Sequence, residues 1–344
     1  MTQQALGESA SPRRIAVLGA GSWGTVFAQV LADAGHEVIL WARREEAAAE
    51  IRRTHRNTRY LPDLTLPTTI TATSDPREAL TGVDGVVVAI PAQVLRPTLR
   101  AWREDGITLP DVPVISLVKG IERGTDARIS EILEQETDLA PDQIAVLSGP
   151  NLSAEIAQRR PCGAVIACRD EETAHLLARW CDAPYLRAYV STDVIGVEIA
   201  GAVKNVIAIV VGAATGLGHG HNTTASLITR GLAEITRLGV ALGGRRETFA
   251  GLAGVGDLVA TCASPLSRNH RMGEALGQGL DVDTARAKIG QTAEGVATAR
   301  AVADLAQRLD IDMPLTNAVV SVIDNGARIE DVTAGLLSRS VRPE

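Results

Sequence analysis

Lys204 stands in the middle of an apolar stretch, GVEIAGAVKNVIAIVVGAATG, at residues 196–216. On a helix its face would carry small and apolar residues such as Gly201 and Ala208, three or four positions away. Burial lowers the pKa of a lysine unless an acid or an anion holds its charge. Asp257, in the glycine-rich segment GLAGVGDLVATCAS, is an acid in an otherwise uncharged setting. A Lys204–Asp257 pair could donate a proton to a carbonyl oxygen as hydride arrives; a structural buried ion pair is the alternative.

Three other segments place small, polar or cationic residues where an apolar run stops or a helix begins. Ligands of open α/β sheets bind beyond the carboxyl ends of the strands, and helix starts next to Lys or Arg bind phosphate. Each segment alone could also be a helix cap or a loop charge. Together they predict a phosphorylated substrate. The candidates are Lys119 in SLVKGIE, Gly149 and Asn151 in LSGPNLSAEI, and Ser267, Arg268 and Asn269 in SPLSRNHRMG.

The segment VLGAGSWGT carries Gly19, Gly21 and Gly24 in the spacing G-x-G-x-x-G, after a predicted strand and before a predicted helix. Glycines at this spacing let the backbone turn tightly and approach a pyrophosphate at the helix N-terminus. In this context the pattern indicates a dinucleotide site, the alternative being ordinary turn glycines.

The second predicted strand ends in WARREE, which places Arg43 and Arg44 at its tip and acids only at Glu45 and Glu46. An acid near this point usually binds the ribose hydroxyls of NAD(H), whereas guanidinium groups suit the 2′-phosphate of NADP(H). We therefore expect NADP(H) to be preferred, with NAD(H) as a possible second cofactor. Two solvated arginines at the start of a helix are the alternative.

The elements that must position these residues change in type along the chain. Predicted strands alternate with helices in the first half, which is typical of an α/β fold with a doubly wound parallel sheet. After about residue 192 only helical patterns follow. The predicted strands are 13–20, 37–43, 85–91, 113–119, 143–149 and 162–168, with helices at 23–34, 91–104 and 125–136. The later helices are 194–214, 223–242, 246–260, 268–277, 282–288, 293–309, 315–324 and 328–337.

This pattern predicts a flexible leader at 1–12, an N-terminal Rossmann-type dinucleotide-binding domain at 13–192, and an all-helical C-terminal substrate and catalytic domain at 193–344. A length of 344 residues with 45% apolar residues is ample for two cores.

The composition argues against several classes of partner. The formal charge is −7 without a basic stripe, which disfavours nucleic acid. Four cysteines without metal-site spacing, and no hydrophobic run for secretion, indicate reduced thiols and a cytoplasmic protein. The polar residues inside 196–216 favour a buried helix, so we expect no membrane insertion. His219 and His221 lack companion ligands, and no metal is expected.

Seven motifs, in this order, resemble the bacterial NAD(P)-dependent glycerol-3-phosphate dehydrogenases over about residues 14 to 325: GAGSWGT, SLVKGIE, LSGPN, AVKNVIAI, NTTASLITRGLAEI, GLAGVGDLVATC and SRN. The resemblance implies reversible reduction of dihydroxyacetone phosphate to sn-glycerol 3-phosphate, usually with NADPH, for phospholipid synthesis. A helical second domain of this kind often packs against its own copy, so we expect a homodimer.

The resemblance also implies roles for individual residues. Lys204 matches the catalytic proton donor or acceptor, and Asp257 the acid beside it. The implied substrate contacts are Lys119, Gly149, Ser267, Arg268 and Asn269. The implied cofactor contacts are Ser22, Trp23, Arg43, Arg44, Tyr60 and Glu294, with Lys119 and Arg268 touching both ligands and Ser153 bordering the cofactor.

Three positions depart from the family pattern. Asn151 replaces a common Ser or Thr, Ser153 replaces Ala, and His219 stands where an aromatic residue is expected. We expect His219 to shape the loop under the active site. Two other functions remain open: a related dehydrogenase acting on a 3-hydroxy acid or ketopantoate, and a non-catalytic NADP(H) sensor. The phosphate-binding segments and the Lys204–Asp257 pair disfavour both.

Overall fold

Eight strands form one sheet in the computed structural model, which describes residues 11–290 and 293–338. The strand order is β3-β2-β1-β4-β5-β6-β7-β8. The strands are β1 (Arg14–Leu18), β2 (Glu37–Trp41), β3 (Ile70–Thr73), β4 (Gly85–Val88), β5 (Val114–Ser116), β6 (Ile144–Ser148), β7 (Cys162–Cys168) and β8 (Leu186–Ser191). Most of the predicted leader lies outside the described residues.

The helices of this first part are α1 (Ser22–Asp33), α2 (Glu45–Thr54), α3 (Pro76–Leu80), α4 (Ala92–Glu104), α5 (Ile129–Glu136), α6 (Ser153–Ala157) and α7 (Glu171–Trp180). Two apolar cores cover the two faces of the sheet. Along β1, Ile15 and Val17 belong to one core, and Ala16 and Leu18 to the other. A strand buried on both faces is apolar throughout, which is why the sequence shows it as a continuous run.

The doubly wound Rossmann-type fold is confirmed, with one difference in strand direction. β1 to β6 are parallel, but β7 runs antiparallel to β6 and parallel to β8. The connection from β6 to β7 holds only the five-residue helix α6, and an antiparallel return needs no full crossover helix. The sequence patterns also missed β3 and β8, which are half polar (ITAT and LRAYVS).

The second part of the chain is helical. Its elements are α8 (Val194–Gly216), α9 (His221–Ala241), α10 (Arg246–Phe249), a π-helical turn (Leu252–Gly256), α11 (Asp257–Ala263), α12 (Arg268–Gly277), α13 (Val282–Ile289), α14 (Glu294–Arg308), α15 (Pro314–Asn325) and α16 (Ile329–Leu337). α8 is central and packs closely on α12. A Cβ on Gly212 would lie 2.0 Å from the His270 carbonyl oxygen, so glycine is required at this crossing.

The predicted single helix over 246–260 is wrong. The backbone forms α10, then the π-helical turn, and only then α11, which begins at Asp257. A Cβ on Gly254 would lie 2.1 Å from the Phe249 carbonyl oxygen, so the glycines allow this compact turn. Short π-helical segments often occur at functional sites, and this one directs Asp257 inward.

α8 is long and apolar enough to cross a membrane by composition alone, but 89% of its most apolar window is buried inside the fold. Among the described residues, α10–α11 and α12 together form a bent pair that also passes the same length and composition test. The apolar character of α8 is accounted for by its contacts with α9, α11, α12 and α14.

Candidate active site

A cleft of about 830 Å³ lies between the Rossmann-type part and the helical part. Its walls come from the glycine-rich turn before α1, the loop after β5, the start of α6, and helices α8, α11, α12 and α14. The predicted site residues that line it are Gly21, Ser22, Trp23, Gly24, Tyr60, Lys119, Asn151, Ser153, Lys204, Ser267, Arg268, Asn269 and Glu294.

Five predicted site residues do not line the cleft itself. Asp257 lies directly beneath it, and the Gly149 carbonyl contacts Lys119 next to it. Gly19 is the first glycine of the glycine-rich turn, just after β1, and its amide donates to the Trp41 carbonyl at 3.1 Å. The remaining two, Arg43 and Arg44, are exposed at the end of β2.

The glycine-rich turn is as compact as the spacing predicts. Gly19 has φ +127°, and a Cβ there would lie 2.7 Å from the Ala89 carbonyl oxygen. A Cβ on Gly24 would lie 2.0 Å from the Gly19 carbonyl oxygen. Apart from its neighbours in the chain, no heavy atom lies within 4 Å of a Cβ position on Gly21, so the backbone there faces open space at the start of α1. That space suits a pyrophosphate approaching the helix N-terminus.

Lys204 and Asp257 form an ion pair under the floor of the cleft. Their side chains are 8% and 1% exposed, and Lys204 Nζ donates to Asp257 Oδ1 and, at 2.7 Å, to Thr261 Oγ1. The other carboxylate oxygen, Oδ2, accepts from Lys119 Nζ at 2.7 Å and from Ser148 Oγ at 3.3 Å. One buried carboxylate therefore holds two lysines that reach the cleft.

The electrostatics of this cluster follow from burial and pairing. Burial lowers the pKa of Lys204 to about 8, although the nearby Asp257 carboxylate favours its charged form. Burial also acts to raise the pKa of Asp257, but Lys119 and Lys204 together hold it below its ordinary value. At neutral pH the carboxylate is ionised, and the Lys204 ammonium can lose its proton at modest cost.

Two asparagines connect this floor to the opposite wall. Asn205 Nδ2 donates to the Lys119 carbonyl at 3.1 Å, and its Oδ1 accepts from Asn269 Nδ2 at 2.9 Å. Asn269 Oδ1 in turn accepts from the Gly295 backbone amide at 3.0 Å. The relay joins the loop after β5, α8, α12 and the first turn of α14, next to Glu294.

Arg268 and Glu294 face each other from the starts of α12 and α14. Burial lowers the pKa of Arg268, partly offset by Glu294, and burial raises the pKa of Glu294, partly offset by Arg268. Because burial keeps water away from both groups, their charges act strongly on an anion or a polar ligand in the cleft.

The cleft also presents polar atoms without partners. The indole Nε1 of Trp23 and the Oδ1 of Asn151 are buried, and neither has a hydrogen-bond partner within 11–290 and 293–338. Asn151 Nδ2 is committed to the Gly163 carbonyl at 3.2 Å. An unused donor beside an open glycine-rich turn fits a dinucleotide, since buried polar groups normally find a partner.

His219 does not line the cleft, and its part in shaping the active-site loop stays a prediction. It lines a separate apolar groove with residues such as Leu217, Leu227 and Leu276. It follows the C-terminus of α8, whereas Lys204 lies near the middle of that helix. In the described part of the chain, no group of three His, Cys, Asp or Glu residues has the arrangement of a metal site.

Two family models match the chain. The model described as the NAD-dependent glycerol-3-phosphate dehydrogenase N-terminus covers residues 14–174, and the model described as its C-terminus covers residues 193–334. The chain belongs to the NAD-dependent glycerol-3-phosphate dehydrogenase family. The family predicted from the motifs, and the oxidoreductase class that goes with it, are confirmed.

Individual relatives of this dehydrogenase family are similar over their full length. The glycerol-3-phosphate dehydrogenase (NAD(P)+) of Thermobifida fusca is 53% identical over 332 residues, covering 96% of this chain and 98% of the relative. That of Corynebacterium glutamicum (strain R) is 53% identical over 332 residues, covering 96% and 99%. The crystal structure of glycerol-3-phosphate dehydrogenase from Coxiella burnetii superposes with a TM-score of 0.90 at 36% identity, covering 95% and 99%.

Three residues of the candidate site were missed by the sequence patterns. Thr261 and Ser148 each contact Asp257, and Asn205 donates a hydrogen bond to the Lys119 carbonyl in the loop after β5. Thr261 lies one helical turn after Asp257, and Asn205 is the neighbour of Lys204 in the chain. The i,i+4 spacing to Asp257 is a signal that could have found Thr261. Nothing in the sequence places Ser148 against Asp257, which is distant along the chain.

Proposed function

We propose that this chain catalyses the reversible reduction of dihydroxyacetone phosphate to sn-glycerol 3-phosphate with NAD(P)H. The observation that carries the proposal is the buried Lys204 ammonium, held by Asp257 under a cleft that also presents Lys119 and Arg268. Family membership supports the substrate, because the relatives' names specify glycerol 3-phosphate. The product supplies glycerophospholipid synthesis.

In the proposed reaction the dinucleotide supplies hydride to the carbonyl carbon. Lys204 Nζ gives its proton to the carbonyl oxygen during reduction and takes it back during oxidation. Asp257 and Thr261 hold the ammonium in place, and the pKa of about 8 lets the group work in both directions near neutral pH. Asp257 stays ionised and balances the charge on Lys119 when Lys204 is neutral.

The phosphate of the substrate binds, in this proposal, at the start of α12. Ser267 caps this ten-residue helix by accepting from the His270 amide at 3.2 Å, and Arg268 and Asn269 form its first turn. Free amides and the helix dipole at an N-terminus favour an anion, and a guanidinium group adds a charge-assisted hydrogen bond. Lys119, Gly149 and Asn151 complete the substrate side from the ends of β5 and β6.

The dinucleotide binds along the glycine-rich turn. Ser22, Trp23, Tyr60, Ser153 and Glu294 line the part of the cleft on that side. We assign the adenosine end to Arg43 and Arg44, which follow β2 and make no ion pair within the described residues. Two such guanidinium groups favour the 2′-phosphate and hence NADPH over NADH.

A homodimer in the cytoplasm is part of the same proposal. An apolar groove of about 210 Å³, lined by residues such as Ile209, Leu227 and Val319, remains open on the helical part. A surface of this kind suits burial against a second copy. Light scattering coupled to size exclusion measures the oligomeric state.

The proposed location in the cytoplasm is supported by the cysteines. The four cysteines of the described chain are free thiols, as in a reducing compartment.

The experiment that tests the activity is NADPH oxidation by the purified protein, followed by nicotinamide absorbance. Dihydroxyacetone phosphate is the substrate, and unphosphorylated dihydroxyacetone and ketopantoate are the controls. Rapid turnover only with the phosphorylated ketone supports the proposal. Turnover with ketopantoate instead would move the activity to a related dehydrogenase, and dinucleotide binding without any turnover would favour a sensor.

A further inference from the structure

The carboxylate of Glu45 is held on both of its oxygens. Arg52 Nη2 donates to Oε1 at 2.6 Å, and Ser74 Oγ donates to Oε2 at 2.6 Å. The hydrogen bond from Ser74 has the larger effect and that from Arg52 the smaller, and both lower the pKa of Glu45, so the group is an anion at neutral pH. We call these three residues the Glu45 clamp.

The partners in the clamp are themselves fixed to the sheet. Arg52 Nη1 donates to the carbonyl of Ala72 in β3 at 2.9 Å. The carbonyl of Ser74, just after β3, accepts from Trp41 Nε1 at 3.0 Å. Glu45 is therefore tied toward the β3 side of α2 by groups whose positions the sheet determines.

The clamp lies where Rossmann-type domains choose their cofactor. β2 ends at Trp41, whose carbonyl accepts from the Gly19 amide of the glycine-rich turn at 3.1 Å. An acid beyond this strand binds the ribose 2′-hydroxyl of NAD(H), and a nearby anion would repel the 2′-phosphate of NADP(H). Glu45 follows Arg43 and Arg44 directly and is the first residue of α2. If it were free to turn, its charge would compete with theirs.

We propose that Arg52 and Ser74 are specificity-determining residues for the dinucleotide. By holding Glu45 toward β3 they keep its carboxylate away from the ribose, so that Arg43 and Arg44 alone face the 2′-position. This inference rests on the proposed binding of the adenosine end at Arg43 and Arg44. Arg52 and Ser74 are positioning residues, because they act through Glu45 and touch neither the substrate nor the reacting atoms.

The test compares kcat/KM for NADPH with kcat/KM for NADH in Ser74→Ala, Arg52→Gln and the double variant. Each single change should lower the NADPH-to-NADH ratio about two- to fivefold, the scale on which one exposed ion pair acts. The kcat at saturating dinucleotide and the KM for dihydroxyacetone phosphate should stay unchanged. Ser74→Thr retains the hydroxyl and should restore the ratio.

Two controls separate the clamp from a general effect of charge or stability. Arg53→Gln removes the neighbouring exposed arginine of α2, which has no ion pair within the described residues, and should leave the ratio unchanged. In a Glu45→Gln background, Ser74→Ala and Arg52→Gln should no longer change the ratio, because the carboxylate they restrain is gone.

An unchanged or increased ratio in Ser74→Ala overturns the inference, and so does a fall that persists in the Glu45→Gln background. Equal losses of kcat/KM for both dinucleotides would show a structural role only, which also overturns it. The proposed preference for NADPH is judged separately, from the ratio of the unaltered enzyme. The clamp is judged from the change in that ratio, so the two can fail independently.

Discussion

Lys204 and Asp257 form a direct ion pair although both side chains are almost completely buried, with exposed fractions of 8% and 1%. Lys204 comes from the middle of the apolar helix α8, and Asp257 is the first residue of α11, delivered by the π-helical turn. A buried pair stabilises little, because desolvation offsets most of the attraction. Its place under the cleft therefore points to chemistry rather than to stability.

Replacing Lys204 should remove turnover and spare binding. We expect Lys204→Met to lower kcat by about 10² to 10⁴, the usual contribution of a positioned proton donor, with NADPH affinity and melting temperature nearly unchanged. Asp257 keeps Lys119 as a partner in this variant, so no carboxylate is left unpaired. Steady-state turnover and a fluorescence titration with NADPH measure the two effects. The exposed Lys288 gives the matched control Lys288→Met, and full turnover by Lys204→Met would contradict the assignment.

The pH dependence of the two directions should be opposite. Reduction needs the protonated form of Lys204. Burial lowers the pKa of this group to about 8. The kcat/KM for ketone reduction should therefore fall as the pH rises through about 8, while that for oxidation of glycerol 3-phosphate should rise. Initial rates across the pH range check this.

Asp257→Asn supplies the control for the pH profiles. The carboxylate raises the pKa of Lys204, so its loss should move the reduction profile to lower pH and lower its maximum. A profile that shifted to higher pH in Asp257→Asn, or two directions with the same pH dependence, would contradict the role of Lys204.

The glycine-rich turn offers a pair of substitutions with different outcomes. In Gly24→Ala the methyl group would lie 2.0 Å from the Gly19 carbonyl oxygen, so we expect loss of both stability and dinucleotide binding. In Gly21→Ala the added methyl group would have no heavy atom within 4 Å beyond the adjacent residues of the chain, so the melting temperature should not change. Its methyl group would occupy pyrophosphate space and weaken NADPH binding about tenfold, on the scale of 1–3 kcal/mol for overpacking. Thermal melts and NADPH titrations distinguish the two, and unchanged binding by Gly21→Ala would place the pyrophosphate elsewhere.

Most of the fold could be predicted from the sequence because the patterns that indicate strands, turns and helices are local. β1 and α1 are an apolar run, a glycine turn and a helical pattern, and all three appear where they were predicted. β3 was missed because ITAT is short and half polar, and it becomes a strand only by pairing with β2. The direction of β7 was also missed, since hydrophobic periodicity indicates which residues are buried and not whether a strand runs parallel or antiparallel to its neighbour.

The site shows the same division between local and distant signals. Lys204 and Ser267 could be selected from the residues around them in the sequence. Lys204 is a charged residue in an apolar helix, and Ser267 is a capping residue at the start of a helix. The contact of Lys119 with Asp257 joins residues 138 positions apart, and no local pattern contains it. The break of the helix before Asp257 depends on the contacts of Gly254, which a helical periodicity does not show.

The ion pair of Arg128 with Glu198 joins the two parts of the chain and makes a stability prediction. Glu198, on α8, accepts from Arg128 Nη1 at 2.5 Å and from the Ser130 amide at 2.8 Å, and its side chain is 5% exposed. Removing one partner of a buried pair leaves an uncompensated charge, so Arg128→Met should lower the free energy of unfolding by about 3–5 kcal/mol. Denaturant unfolding measures this. Arg103→Met is the control, because its pair with Asp138 is exposed and should matter by less than about 1 kcal/mol.

The loss in Arg128→Met should also depend on pH. Burial raises the pKa of Glu198 in the folded protein, partly offset by Arg128, and without the arginine it should rise further. A carboxyl group whose folded pKa exceeds its unfolded value stabilises the fold below the unfolded pKa and loses that effect as the pH rises. The destabilisation by Arg128→Met should therefore be small in mildly acidic solution and largest above neutral pH. A loss that grows toward acid pH would show that Arg128 acts through packing or through Glu131 instead.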